Sequence, residues 1–137
     1  MELFITQLST GLLAGFELTV NLILIPALIE TNNPLPGWKK SYNNVLKSFA
    51  LTTPISIMFG LRYYYLTNNI FIIYSLLCTL LVLLRTILVI APTNKKLFEI
   101  NDDDNININY LINKWNNLQW IRTFLSIIAF IIAILIY

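Results

Sequence analysis

Three charged side chains stand inside strongly apolar stretches of this sequence, where they are the residues best placed to do chemistry. Glu17 lies near the middle of the first apolar block, Arg85 lies in the third, and Arg122 lies near the start of the fourth. A charge within hydrocarbon is costly and is usually either paired or functional. We therefore take Glu17 as a candidate catalytic base and both arginines as candidate groups for stabilising an anion.

Depth within the membrane favours Arg85 over Arg122 as the partner of Glu17. At ~1.5 Å per residue, the Cα atoms of Glu17 and Arg85 are expected to lie about 9 Å apart in depth, a gap that two side chains can partly close. Arg122 is expected nearer the surface, where its long side chain can snorkel towards water. Two roles stay open for Glu17: a buried structural group, ion-paired or neutral, and a group that faces a ligand.

Small and polar residues recur at helical spacing in each apolar block. In the first block the intervals are three and four residues, which places the stripe on one face of a helix. Gly11 and Gly15 lie beside this stripe as a GxxxG pair, which lets another backbone approach closely. Such stripes predict a bundle that hides its polar faces from lipid, and most of them are explained by hydrogen bonds between helices. The first stripe consists of Gln7, Thr10, Ala14, Glu17 and Asn21.

Composition predicts the elements that must position these side chains. The chain has 137 residues, of which 57% are hydrophobic and only 12% are charged, whereas a soluble domain carries about 25% charged residues. This argues against a soluble enzyme, a disordered segment and a secreted disulfide scaffold. The net charge of +2 gives no indication of nucleic-acid binding. Because histidine is absent, we expect no histidine-bound metal and no histidine-activated nucleophile, and we expect no other cofactor.

Four apolar blocks are each close to the ~20 residues that a helix needs to cross a bilayer. An open sheet cannot satisfy its edges in lipid, so helices are predicted even where Ile and Val are common. The expected fold is all-α: an integral membrane four-helix bundle in a single domain, residues 1–137, with an interfacial helix from Tyr110 to Trp120 before the last span. Pro26 is expected to kink the first helix. The blocks run from Phe4 to Ile29, Phe49 to Leu66, Ile70 to Ala91 and Trp120 to Tyr137.

Basic residues predict the orientation of the bundle. Six of the nine lie in two long connections, Thr31–Ser48 and Pro92–Gln119, and the opposite side has only Arg62. The positive-inside rule places the two connections in the cytoplasm or an equivalent compartment. Asp102–Asp104 in the second connection is expected to be a solvated turn. The mitochondrial inner membrane fits this pattern as well as the endoplasmic or plasma membrane does.

Four stretches, taken in order, resemble the anthrone-oxygenase-like family of small four-helix membrane proteins. Gly11–Ala27 resembles the family's first helix, and Trp38-Lys39-Lys40-Ser41-Tyr42 resembles the segment before its second. Ala91-Pro92-Thr93-Asn94-Lys95-Lys96 is similar to a signature after the third helix, and Trp115–Thr123 is similar to the signature that leads into the fourth. The resemblance implies a small pocket at the inner side of the bundle. Its expected ligand-binding residues are Asn21, Pro26, Trp38, Tyr42, Thr93, Asn94, Trp115, Gln119 and Thr123.

Two positions depart from the family pattern. Many members have a histidine immediately before the proline of the first helix and another within the fourth-helix signature, whereas this chain has Ile25 and Gln119 there. If those histidines bind a metal or move protons in active relatives, this protein cannot perform the same chemistry in the same way.

Two functions remain open at this point. The first is a non-catalytic family member that acts as an accessory or structural subunit of a larger membrane complex, in contact with lipid and with partner membrane subunits. The alternative is a cofactor-independent membrane oxygenase that acts on an aromatic or lipid-like substrate, with Glu17 as base and the arginines as anion stabilisers.

Overall fold

The protein folds into four long helices. The structure, a computed structural model, describes residues 1–100 and 105–136, without the side chains of residues 105–107. The helices are α1 (Glu2–Ile29), α2 (Pro34–Thr67), α3 (Ile70–Glu99) and α4 (Asn105–Ile134). No strand occurs in the described ranges, so the predicted all-α fold is confirmed. Asp102–Asp104 lie outside the described residues.

The helices pack in cyclic order, because α1 and α3 each contact both α2 and α4. The turn between α2 and α3 explains one antiparallel pair. Asn68 adopts the left-handed conformation with φ of 53°, and the side chain of Asn69 accepts a hydrogen bond of 3.0 Å from the N–H of Phe71. These are the residue types that end one helix and cap the next. We call the end where α1 and α3 finish, and α2 and α4 begin, the basic end of the bundle.

Three helices are long and apolar enough to cross a membrane: α1, α3 and the part of α4 over Ile108–Ile134. Their outward faces carry large exposed leucines and isoleucines, as expected where lipid is the solvent. The protein is therefore an integral membrane helical bundle. The predicted span Phe49–Leu66 in α2 is not among these three helices. Polar residues such as Thr52, Thr53 and Arg62 lower its hydropathy.

The two long connections differ from the sequence prediction. Most of each is helical, because α2 begins at Pro34, α3 continues to Glu99 and α4 begins at Asn105. The segment Tyr110–Trp120 is not a separate interfacial helix but a continuous part of α4. Apolar and aromatic side chains in these extensions pack into a core at the basic end, formed by residues such as Leu35, Trp38, Leu97 and Ile112, and this burial stabilises helix where the polar composition suggested loop.

Candidate functional site

An ion pair joins α1 to α4 at the centre of the bundle. The Nε atom of Arg122 lies 3.0 Å from Oε1 of Glu17, and the two residues are 4% and 2% exposed. The N–H of Arg122 does not point along this line closely enough to form a hydrogen bond with Oε1, so the contact is electrostatic. The other carboxylate oxygen, Oε2, accepts a hydrogen bond of 3.1 Å from the hydroxyl of Ser126, one turn further along α4.

Arg122 also contacts the remaining two helices. Its guanidinium carbon lies 5.2 Å from the centre of the Phe49 ring on α2, a cation–π distance. Its Nη1 atom donates a hydrogen bond of 3.3 Å to the hydroxyl of Thr86 on α3. One guanidinium thus connects all four helices. Sequence reasoning missed Phe49 and Thr86. Thr86 had a usable signal, since it continues the polar face of Ser75, Thr79 and Val82 at helical spacing.

The predicted pairing of Glu17 with Arg85 is wrong, and so is the prediction that Arg122 snorkels. The depth of a side chain in the membrane does not decide which partner it meets. The face of α3 on which the side chain lies does. Thr86 points at Arg122, and Arg85, one residue earlier, is rotated about 100° around α3. Arg85 is half-buried, forms no ion pair with any acid in the described residues, and has an Nε atom without a hydrogen-bond partner there.

A second set of polar contacts lies beside the ion pair, between α1 and α4. The side-chain amide of Asn21 donates a hydrogen bond of 2.6 Å to the hydroxyl of Thr123, which in turn donates to the backbone carbonyl of Gln119 at 3.1 Å. All three residues are at most 2% exposed. The amide oxygens of Asn21 and Gln119 are buried without a hydrogen-bond partner in the described structure.

Two π-helical turns place Asn21 and Thr86 at this site. Pro26 has no N–H to donate to the carbonyl of Leu22, four residues earlier. The N–H of Ile25 instead donates to Val20, five residues earlier, and the helix widens over Val20–Leu24. The same happens before Pro92, where Ala91 donates to Thr86 and the turn covers Thr86–Ile90. Turns of this kind recur at functional sites because they redirect side chains.

An aromatic cluster covers the site at the basic end. Trp38 stacks on Tyr42 at 5.2 Å and meets Trp115 edge-on at 5.7 Å, while Phe98 packs against both Trp38 and Tyr42. The indole N–H of Trp115 donates to Oδ1 of Asn94 at 2.6 Å, and the amide of Asn94 donates to the Tyr42 hydroxyl at 3.2 Å. Phe98 was not predicted from the sequence, because an isolated aromatic residue in a basic segment gives no periodic signal.

A small cavity separates the aromatic cluster from the ion pair. Its volume is about 20 Å³, and its wall includes Tyr42, Asn94, Trp115, Gln119 and Arg122. This is close to the volume that one water molecule requires. The wall offers hydroxyl, amide, indole and guanidinium groups, so a single water there would find polar partners. The cavity as it stands does not admit an aromatic ring.

The structure brings together most of the predicted ligand-binding residues. Asn21, Gln119 and Thr123 lie beside the ion pair, and Trp38, Tyr42, Asn94 and Trp115 form the cluster above it. Two others are apart. Pro26 is exposed on the outer face of α1, where it acts through the backbone, and Thr93 is buried but takes no part in the side-chain hydrogen bonds of either group. Among the described residues, no three side chains of metal-binding type come together.

The family follows from a comparison with known sequences. A family model described as anthrone oxygenase matches residues 38–132, more than half of the chain. The chain belongs to the anthrone oxygenase family. The match begins at Trp38 and contains the whole aromatic cluster and Arg122, whereas Glu17 and Asn21 on α1 lie before it. No curated protein and no solved structure matches the chain.

Proposed function

We propose that this chain is a non-catalytic member of the anthrone oxygenase family that acts as an accessory or structural subunit of a larger membrane complex. The observation that carries the proposal is the closed state of the polar site. Glu17 is occupied by Arg122 and Ser126, and Arg122 is occupied by Glu17, Thr86 and Phe49. A carboxylate held in this way serves to fix four helices and is not poised to take a proton from a substrate.

The size of the cavity supports the same function. Pockets for small organic ligands are typically about 300–1,000 Å³, against about 20 Å³ here. On the side of the basic end, the protein's own aromatic rings pack against one another beside this cavity.

The two departures from the family pattern add to this argument. Ile25 is fully buried and packs in the apolar core of the basic end. Gln119 is 1% exposed and brings an amide in place of a titratable ring. If the histidines of related proteins carry proton transfer or metal binding, as the resemblance implies, then neither side chain here replaces them.

A cofactor-independent oxygenase is the second candidate, and one observation favours it. The amide oxygens of Asn21 and Gln119 are buried and unpartnered beside Arg122, and buried polar atoms of this kind often await a ligand or a water. In that reading Glu17 removes a proton from an aromatic or lipid-like substrate and Arg122 stabilises the resulting anion. Arg85 has no part in it, because it does not reach the site.

A double substitution separates the two functions. Glu17→Leu combined with Arg122→Met replaces the pair by apolar groups of similar size, a change that buried ion pairs often tolerate. The tagged chain is purified from its own membranes in mild detergent, its mass is measured by native mass spectrometry, and oxidation of anthrone is measured as oxygen uptake. Arg85→Met is the matched control.

If the chain is a structural subunit, we expect the wild type and the double variant both to carry stoichiometric companion subunits, and neither to oxidise anthrone. A wild-type chain that purifies as a lone monomer contradicts the proposal. Oxygen uptake that is present in the wild type and in Arg85→Met but lost in the double variant establishes the oxygenase.

A further inference from the structure

A groove of about 670 Å³ opens on the outer surface between α1 and α2, apart from the polar site. Its walls are mostly apolar, and Phe130 of α4 contributes to them. Along α1 the groove extends from Gln7 to Thr19, which at ~1.5 Å per residue is about 18 Å. One leaflet of a bilayer contributes about 15 Å of the ~30 Å hydrocarbon thickness. The groove is therefore about as long as the acyl chain of one lipid.

Gly15 keeps this groove open. A Cβ atom placed on Gly15 meets nothing within 4 Å, whereas one placed on Gly11 comes within 2.7 Å of the Phe130 ring. Both glycines line the groove, but they differ in role: Gly11 lets the Phe130 ring approach α1 closely, and Gly15 leaves open space. Leu12 and Leu51, which line the groove, are 57% and 65% exposed, so apolar surface is presented there without a protein partner among the described residues.

Two lysines of α2 lie beyond the groove, on the side of the basic end. Lys40, Lys47 and Leu51 follow one another at intervals of seven and four residues on α2, which places them on the same helix face. Both lysines are exposed, and neither forms an ion pair with a described acid. Ser48, next to Lys47, lines the groove itself. The arrangement is an apolar groove followed by hydroxyl and ammonium groups at the basic end.

We propose that this groove binds one anionic phospholipid, with an acyl chain along α1 between Leu12 and Leu51 and the phosphate against Lys47 and Lys40. The order of the groups carries the assignment: an apolar wall, then a hydroxyl, then two positive charges that have no ion-pair partner among the described residues. This is the order of groups in the lipid itself. An apolar helix of a second copy would use the leucines and Gly15 but would leave both lysines without a counter-charge.

Native mass spectrometry of the purified chain tests this assignment. The protein is delipidated in detergent and then mixed with micelles that contain either palmitoyl-oleoyl phosphatidylglycerol or the phosphatidylcholine with the same acyl chains. We expect one retained phosphatidylglycerol per chain. Each juxtamembrane lysine strengthens binding to an anionic lipid about fivefold, so Lys40→Gln with Lys47→Gln should weaken phosphatidylglycerol retention about 25-fold and leave phosphatidylcholine retention unchanged. The charge-matched control is Lys95→Gln with Lys96→Gln, two exposed lysines at the same end on α3.

A second experiment fills the groove with a larger side chain and measures lipid retention in the same way. Gly15→Leu projects a side chain into open space and should abolish retention of the lipid, while Ala50→Leu, on the exposed surface of α2 outside the groove, should not. Circular dichroism verifies that both variants keep the wild-type helix content. Equal retention of the two lipids, equal effects of the two lysine pairs, undiminished retention in Gly15→Leu, or a dimer mass in place of the lipid adduct would overturn the proposal.

Discussion

Replacing Glu17 by Gln should destabilise the bundle more than any other single change of charge in the chain. Arg122 is 4% exposed, and its guanidinium would remain charged after the carboxylate is gone, because arginine is not deprotonated in proteins. Removing one partner of a buried ion pair costs about 3–5 kcal/mol. The cation–π contact with Phe49 and the hydrogen bond to Thr86 persist in the variant, so we expect the lower part of this range.

The reverse substitution, Arg122→Met, should cost less, because a carboxyl group left alone can accept a proton and become neutral. The double variant Glu17→Leu with Arg122→Met should come within about 1 kcal/mol of the wild type or exceed it, since well-packed apolar replacements of a buried pair are often neutral or stabilising. A thermodynamic cycle over the wild type, Glu17→Leu, Arg122→Met and the double variant gives the coupling energy directly. The free energy of unfolding of each is measured by reversible unfolding of the detergent-solubilised protein in increasing sodium dodecyl sulfate.

Arg85→Met is the control for this cycle. Arg85 is half-buried and has no acidic partner among the described residues, so its loss should change the free energy of unfolding by less than about 1 kcal/mol. Equal effects of Glu17→Gln and Arg85→Met, or a double variant whose loss equals the sum of its single losses, would refute the pairing of Glu17 with Arg122.

Four further substitutions test the packing of the bundle, each by thermal unfolding in detergent. Trp115→Phe keeps an aromatic ring but removes the donor of the 2.6 Å bond to Asn94, and it should cost about 1–3 kcal/mol; an unchanged midpoint would contradict that bond. Thr123→Val removes the hydroxyl that accepts the 2.6 Å hydrogen bond from the Asn21 side-chain amide, and it should cost a similar amount. An unchanged midpoint would contradict this hydrogen bond. Gly60→Ala brings a Cβ within 2.5 Å of the Leu76 side chain on α3 and should destabilise by about 1–3 kcal/mol. Gly15→Ala meets open space and should be neutral or slightly stabilising; the opposite order would contradict the packing of α2 on α3 and the open space beside Gly15.

For α1, periodicity alone predicted which face of the helix turns inward. The stripe that contains Glu17 and Asn21 is buried, and both residues contact α4. Spacing within one helix gives the face, but not which neighbour that face meets. For this reason depth alone favours Arg85 as the partner of Glu17. The rotation of α3 about its axis turns Thr86 towards α4 instead, and Arg122 of α4 pairs with Glu17.

The ends of the helices were harder to predict than their centres. The segments around Trp38, Leu97 and Ile112 contain many Asn and Lys residues, a composition that favours loops. They are helical because their apolar side chains meet in a core that all four helices contribute to. No local window of sequence contains that information. Pro26 correctly indicated a distortion of α1, and Pro92 carried the same signal for α3, since each removes a donor to the fourth carbonyl before it.

A density map of the native assembly in a lipid environment is the sharpest test of whether the ion pair between Glu17 and Arg122 closes the polar site and joins the four helices. We expect density for the Arg122 guanidinium against Glu17, a single water-sized feature between Arg122 and Tyr42, and a companion subunit on the apolar surface. Density for an organic ring between the aromatic cluster and the ion pair, with Arg122 turned away from Glu17, would contradict this expectation.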